Sequence, residues 1–147
     1  MDMKQLISDF PSNIIDAIRI AEKVKLNPAK VEIKDVLICG MGGSGIGGSL
    51  VSKWLEDQLR IPVAVAKDYT IPAFVDQNTL VIASSYSGNT EETLSAVEAA
   101  MLRNSKIIGI CSGGRLKEVC YAEGFDFIEV PGGNPPRTAL AYSVIQL

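Results

Sequence analysis

Three hydroxyls and a glycine stand together in the run Ser85-Tyr86-Ser87-Gly88-Asn89-Thr90, just after the apolar residues 80–83 and just before a helical pattern. Ser85, Ser87 and Thr90 are donors without charge, and Gly88 permits the tight turn in which successive backbone N–H groups converge. A helix starting near Asn89 adds unpaired N–H groups and the positive end of its dipole. A strand-turn-helix junction of this kind is a socket for a phosphate. Hydroxyls in place of lysines suit a ligand held by many hydrogen bonds and released readily, as a small phosphorylated metabolite is.

A second junction lies upstream. The apolar run 36–40 opens onto Gly-Met-Gly-Gly-Ser-Gly-Ile-Gly-Gly, residues 40–48, where Ser44 adds a side-chain donor. The glycines exceed what one turn requires and allow a ligand to approach the backbone closely. Gly40, Gly42 and Gly45 also fit the dinucleotide pattern G-x-G-x-x-G, with Asp68 closing the next strand where a ribose-binding acid would stand. That reading stays open, although it gives no reason for the hydroxyl-rich turn. A P-loop fails for want of a lysine between Gly48 and Ser49, and a nucleophile elbow fails because no glycine precedes Ser85 or Ser87 at the required spacing.

Two charged groups need separate readings. Glu91 and Glu92 fall in the first turn of a helix, where acidic residues are stabilising for dipole reasons alone. Arg137 follows two prolines that start a helix, so its cation opposes the dipole. It either has an anionic partner or keeps its charge in solvent.

The elements that must position these groups follow from the hydrophobic pattern. Residues 1–35 read as helical in two pieces, restarting at Pro11 and Ser12, with Ile14, Ile15, Ile18 and Ala21 as the apolar stripe. Strands follow at 36–40, from Ile61, at 80–83, from Lys106 and from Phe125. Helical patterns run through Leu50, Trp54 and Leu55, through Leu94, Val97, Ala100 and Met101, across 115–123, and after Pro136. Strands alternating with helices imply right-handed crossovers and a parallel sheet. The expected fold is therefore α/β, a three-layer αβα sandwich around a five-stranded parallel sheet in the flavodoxin-like order 2-1-3-4-5. That order sets the loops after strands 1 and 3 side by side at the switch point.

Composition bounds the function. A chain of 147 residues with 47% hydrophobic and 21% charged residues is expected to form one domain with one core. A net charge of −3 speaks against nucleic-acid binding, which needs a basic face. No apolar segment approaches the roughly 20 residues of a membrane span and no signal-peptide pattern opens the chain, so a cytoplasmic protein is expected. Cys39, Cys111 and Cys120 read as buried small hydrophobes. The absence of histidine excludes a Ser-His triad within the chain, and no metal site is expected.

The run from Ser85 to Thr90 with Glu92 and Thr93 resembles the sugar-phosphate signature of SIS (sugar isomerase) domains. The glycine run 40–48, the run Lys-Asp-Tyr-Thr-Ile-Pro at 67–72 and residues 131–143 are together similar to the N-terminal domain of the bifunctional phosphoglucose/phosphomannose isomerase family. The resemblance implies one SIS domain over residues 1–147, a helical segment at 1–35 before a core at 36–147, with the family's second SIS domain absent. It implies that Gly43, Ser44, Ser85, Ser87 and Thr90 hold a hexose 6-phosphate. Arg137 is implied as the catalytic cation that stabilises the enediolate oxygen between C1 and C2. The proton-moving glutamate and the ring-opening histidine of the family are implied beyond residue 147, so this chain is expected to bind substrate but turn it over poorly. No cofactor is implied, and the partner is a second copy or a C-terminal SIS domain. The alternatives are a sugar-phosphate-sensing module without chemistry and, less favoured, a nicotinamide-binding Rossmann domain.

Overall fold

The structure is a computed structural model that describes residues 2–147. Five strands, β1 (Asp35–Cys39), β2 (Val63–Ala66), β3 (Thr79–Ser84), β4 (Lys106–Cys111) and β5 (Asp126–Glu129), pair in parallel in the order β2-β1-β3-β4-β5. This is the expected sheet, and its central strands carry no polar alternation because both faces are covered.

On one face, Leu37, Val81, Ala83, Ile107 and Cys111 of the strands pack against Val97 and Ala100 of α4 (Glu91–Leu102) and Leu116 and Cys120 of α5 (Gly114–Glu123). Residues 67–78 cross this face without a helix, burying Ile71 and Val75 in the same cluster. The other face holds Ile110 and Ile128 against Ala17 of α2 (Phe10–Lys23) and Tyr142 of α6 (Leu140–Gln146). Beside them, α3 (Gly42–Trp54) lies over β1 and β2, and α1 (Met3–Ser8) leads into α2. The three cysteines are free and buried, as expected of small hydrophobes.

Four local expectations are corrected. Residues 24–34 form no helix; Asn27 there is instead tied to Asp126 at the start of β5 by its backbone N–H and its side-chain amide. On α2, Ile15 and Ile18 are exposed and Ala17 is the buried residue, because a small side chain lets α6 approach. The glycine run is the first half of α3 rather than a loop before it, and Leu50 and Trp54 face outward. Its glycines permit contact with the sheet: a Cβ on Gly48 would lie 2.8 Å from Ile38 Cγ2. Finally, the two prolines begin a 3-10 turn, Pro136–Thr138, and α6 starts only at Leu140. Arg137 therefore stands before the helix and does not oppose its dipole.

Candidate functional site

Strand register brings the two junctions together. Cys39 pairs with Ala83, so Gly40 follows β1 beside Ser84, and a Cβ on Gly40 would be 3.0 Å from the Ser84 carbonyl oxygen. The chain after β5 closes on the same spot: a Cβ on Gly43 would be 3.2 Å from the Pro136 carbonyl oxygen, one residue before Arg137. Gly43, Ser44, the turn 85–90 and the turn bearing Arg137 thus share the C-terminal end of the sheet.

The β3–α4 turn is braced from within. Gly88 donates its N–H to both the carbonyl oxygen and Oγ of Ser85, at 3.0 and 3.1 Å, and Ser85 Oγ is 2.8 Å from Thr90 Oγ1. Gly88 has φ +72°, and a Cβ there would lie 1.8 Å from the Gly113 carbonyl oxygen, so only glycine fits. Neighbouring loops hold the turn from outside. Ser112 donates its N–H and its hydroxyl to the Tyr86 carbonyl at 2.9 and 2.7 Å, and Leu116 donates its N–H to the Gly88 carbonyl at 2.8 Å.

These bonds separate the hydroxyls by role. Ser85 is 2% exposed and its oxygen is engaged inside the turn, as is that of Thr90, which is half-buried. Ser87 is exposed; its Oγ accepts from Asn89 N–H at 3.2 Å, which leaves the hydroxyl proton uncommitted. Ser44 is buried in the first turn of α3, and among the described residues its hydroxyl has no partner. The backbone follows the same division. Gly88 and Asn89 donate to Ser85 and Ser87, whereas no protein acceptor among the described residues takes the N–H of Gly43, Ser44, Ser87, Glu91 or Glu92. The donors open to an anion are therefore the helix starts and Ser87.

Charge around the site is mixed. Arg137 is exposed and forms none of the four ion pairs among the described residues. Glu91 and Glu92 occupy the first turn of α4, and Glu91 Oε2 accepts from the Tyr69 hydroxyl at 3.3 Å. The charge of Glu92, then burial and Glu91, push that phenol up from its ordinary value. Two residues given no role by the sequence reading also stand here. Lys67 runs its Cε 3.3 Å from where a Gly45 Cβ would be, and Tyr86 reaches across to residues 131–134. Their signals were a lysine closing β2 and an aromatic residue between the two serines.

Two cavities, of about 530 and 750 Å³, lie at the opposite end of the sheet, lined by Pro62 and Val63 at β2 and by Ser105, Lys106 and Asp126 at β4 and β5. Among the described residues no helix is long and apolar enough to cross a membrane.

A doubly wound parallel sheet with free donors gathered beyond the ends of β1 and β3 defines an α/β domain of the flavodoxin-like class, in which ligands bind at the switch point. The SIS domain family model matches residues 16–115, and the chain belongs to that family. It is 48% identical over 145 residues to a bifunctional phosphoglucose/phosphomannose isomerase of Caldicellulosiruptor bescii, covering 99% of this chain and 43% of that protein. It is 52% identical over 110 residues to the protein of the same name from Aquifex aeolicus, covering 74% and 34%. The chain thus spans less than half the length of these curated relatives. Among solved structures, the C-terminal domain of glucosamine-fructose-6-phosphate aminotransferase from Francisella tularensis superposes with a TM-score of 0.75 at 18% identity, covering 98% of this chain and 45% of that one.

Proposed function

We propose that this chain is the sugar-phosphate-binding SIS domain of a cytoplasmic glucose-6-phosphate/mannose-6-phosphate isomerase. Gly43, Ser44, Ser85, Ser87 and Thr90 form the phosphate site for a hexose 6-phosphate, with Ser85 and Thr90 shaping the turn and Ser87, Ser44 and the helix-start amides donating. Arg137 stabilises the oxyanion of the cis-enediol that forms as a proton moves between C2 and C1. The base that moves this proton comes from beyond residue 147, from a C-terminal SIS domain, so the chain alone binds its ligand and turns it over slowly.

One observation carries this reading: the turn bearing Arg137 abuts the same first turn of α3 that offers the free amides. A sensor of sugar phosphates needs the donors but no cation at the sugar's reacting end. Family membership weighs likewise against a nicotinamide site.

A thermal titration tests the assignment. At about 100 times its Kd, a ligand of the folded state adds about 2.7 kcal/mol, which for a chain of this size raises Tm by about 5–10 °C. Glucose 6-phosphate and 5-phosphoarabinonate, whose carboxylate mimics the enediolate, should both do so. A shift with NAD and none with either sugar phosphate overturns the proposal.

A further inference from the structure

Tyr86 sits between the two serines of the turn, yet its side chain serves a different loop. Its hydroxyl donates to the Pro131 carbonyl oxygen at 2.8 Å and accepts from Asn134 N–H at 3.1 Å, 45 and 48 residues downstream. Among the described residues these are the only hydrogen bonds that tie residues 131–134 to the rest of the protein; the next anchors are Val130 N–H on Cys111 and the local Thr138 N–H on Pro135. The segment contains Gly132 and Gly133, so its own backbone does little to fix its path. It leads directly into the turn bearing Arg137.

The other end of Tyr86 is fixed. Its carbonyl accepts two bonds from Ser112, and its ring packs against the core cluster around Ile110, Ile128 and Tyr142. A rigid aromatic strut therefore runs from the hydroxyl turn to the arginine's loop. Packing explains the ring but not the hydroxyl, which a phenylalanine would lack at no cost in volume.

We propose that Tyr86 is a positioning residue that sets Arg137 against the hydroxyl turn, so that the phosphate end and the reacting end of one ligand are held at a fixed separation. This inference rests on the sugar-phosphate reading above. It says that the phenol acts through Arg137 and touches no ligand itself.

The test is a double-mutant cycle on the 147-residue chain, with Tyr86→Phe, Arg137→Ala and the double variant titrated with inorganic phosphate and with 5-phosphoarabinonate. Phosphate needs only the turn, so Tyr86→Phe should leave its Kd within about twofold. The Kd of 5-phosphoarabinonate should rise about tenfold, as for a lost hydrogen bond to a charged group, and the double variant should bind no worse than Arg137→Ala alone. Equal weakening for both ligands, or losses that add in the double variant, would show that the hydroxyl acts on the turn or on general stability, and would overturn the proposal. So would an unchanged Kd for 5-phosphoarabinonate in Tyr86→Phe while the wild type binds it. If the wild type binds neither ligand, the sugar-phosphate reading falls and this inference falls with it.

Discussion

Gly88→Ala tests the hydroxyl turn most directly, because the structure supplies its own control. Gly88 and Gly124 have nearly the same φ, +72° and +69°. A Cβ on Gly124 meets nothing within 4 Å, whereas one on Gly88 would lie 1.8 Å from the Gly113 carbonyl oxygen. Alanine at 124 therefore costs only the left-handed strain, about 1–2 kcal/mol. At 88 the same strain is joined by a collision with backbone that no rotamer change can relieve. The turn must move away from Gly113, and two bonds stretch: Gly88 N–H to Ser85 and Leu116 N–H to the Gly88 carbonyl. At about 1 kcal/mol each, these bring the total to about 3–4 kcal/mol.

For a chain of this length each kcal/mol shifts Tm by about 2–4 °C, so Gly88→Ala should melt about 10 °C below wild type and Gly124→Ala about 3–6 °C below. Differential scanning calorimetry of both variants, with and without glucose 6-phosphate, reads the difference. Ligand stabilisation should vanish in Gly88→Ala and persist in Gly124→Ala. Equal melting temperatures for the two variants, or undiminished stabilisation of Gly88→Ala by glucose 6-phosphate, would refute the close approach of the two loops on which the site depends.

Ser87→Ala should weaken glucose 6-phosphate by about 5- to 30-fold in calorimetric titration at nearly unchanged Tm, since its hydroxyl is exposed. Ser85→Ala should instead lower Tm by several degrees, because it unmakes one buried and one part-buried bond, and should weaken binding only through the loosened turn. Burial pushes the Cys39 thiol up to about 12 and that of Cys120 to about 11. Below about pH 8.5 such thiols are protonated in both folded and unfolded chains; above it only the unfolded chain ionises, so stability falls as pH rises. Urea midpoints should therefore drop between pH 8 and 9.5, and Cys39→Ala should flatten that slope. Burial alone would raise the Asp126 carboxyl, but Lys106 and Asn27 hold it below its ordinary value. Its stabilisation is present above about pH 4 and fades as pH falls through the folded value. Lys106→Met leaves this carboxylate only its bonds from Asn27 and should cost about 1–2 kcal/mol, with part restored by adding Asp126→Leu.

The sheet was legible because β1 to β4 carry apolar runs bounded by turn residues and right-handed crossovers imply parallel pairing, with the flavodoxin-like order as the expected arrangement. What escaped the sequence was decided by tertiary contact. Glycine is a poor helix former, so residues 42–48 read as loop, yet α3 needs them bare to lie against Ile38 and β1. Ile15, Ile18, Leu50 and Trp54 carry the apolar signal of their helices, but the buried contacts go to Ala17, Gly48 and Val51, where small side chains let elements approach. At the site, the residue types of the turn marked the place without showing which groups stay free. Ser85 and Ser87 are indistinguishable in one dimension. Strand alternation would put residues two apart on the same face, so their opposite exposure belongs to the turn, whose path Gly88 sets with its φ of +72° against the Gly113 carbonyl.

On the reading proposed above, that division explains how neutral donors hold an anion. A mobile serine loop would lose ordering entropy for every hydrogen bond it offered, leaving little net affinity. Here the ordering is already complete, because Ser85, Thr90, Gly88 and Ser112 lock the turn with bonds that face the protein. The groups left over, Ser87 and the amides at the starts of α3 and α4, belong to structures that cannot relax around an empty site. Two carboxylates in the first turn of α4 would repel the ligand, yet Glu91 is drawn aside by Tyr69. Lys67 and Arg137, which form no ion pair among the described residues, follow β2 and β5, the two edge strands of the sheet. On the sugar-phosphate reading proposed above, rigid neutral donors with cations beside them suit a doubly charged phosphoryl group anchored on the turn, with the sugar extending toward the arginine.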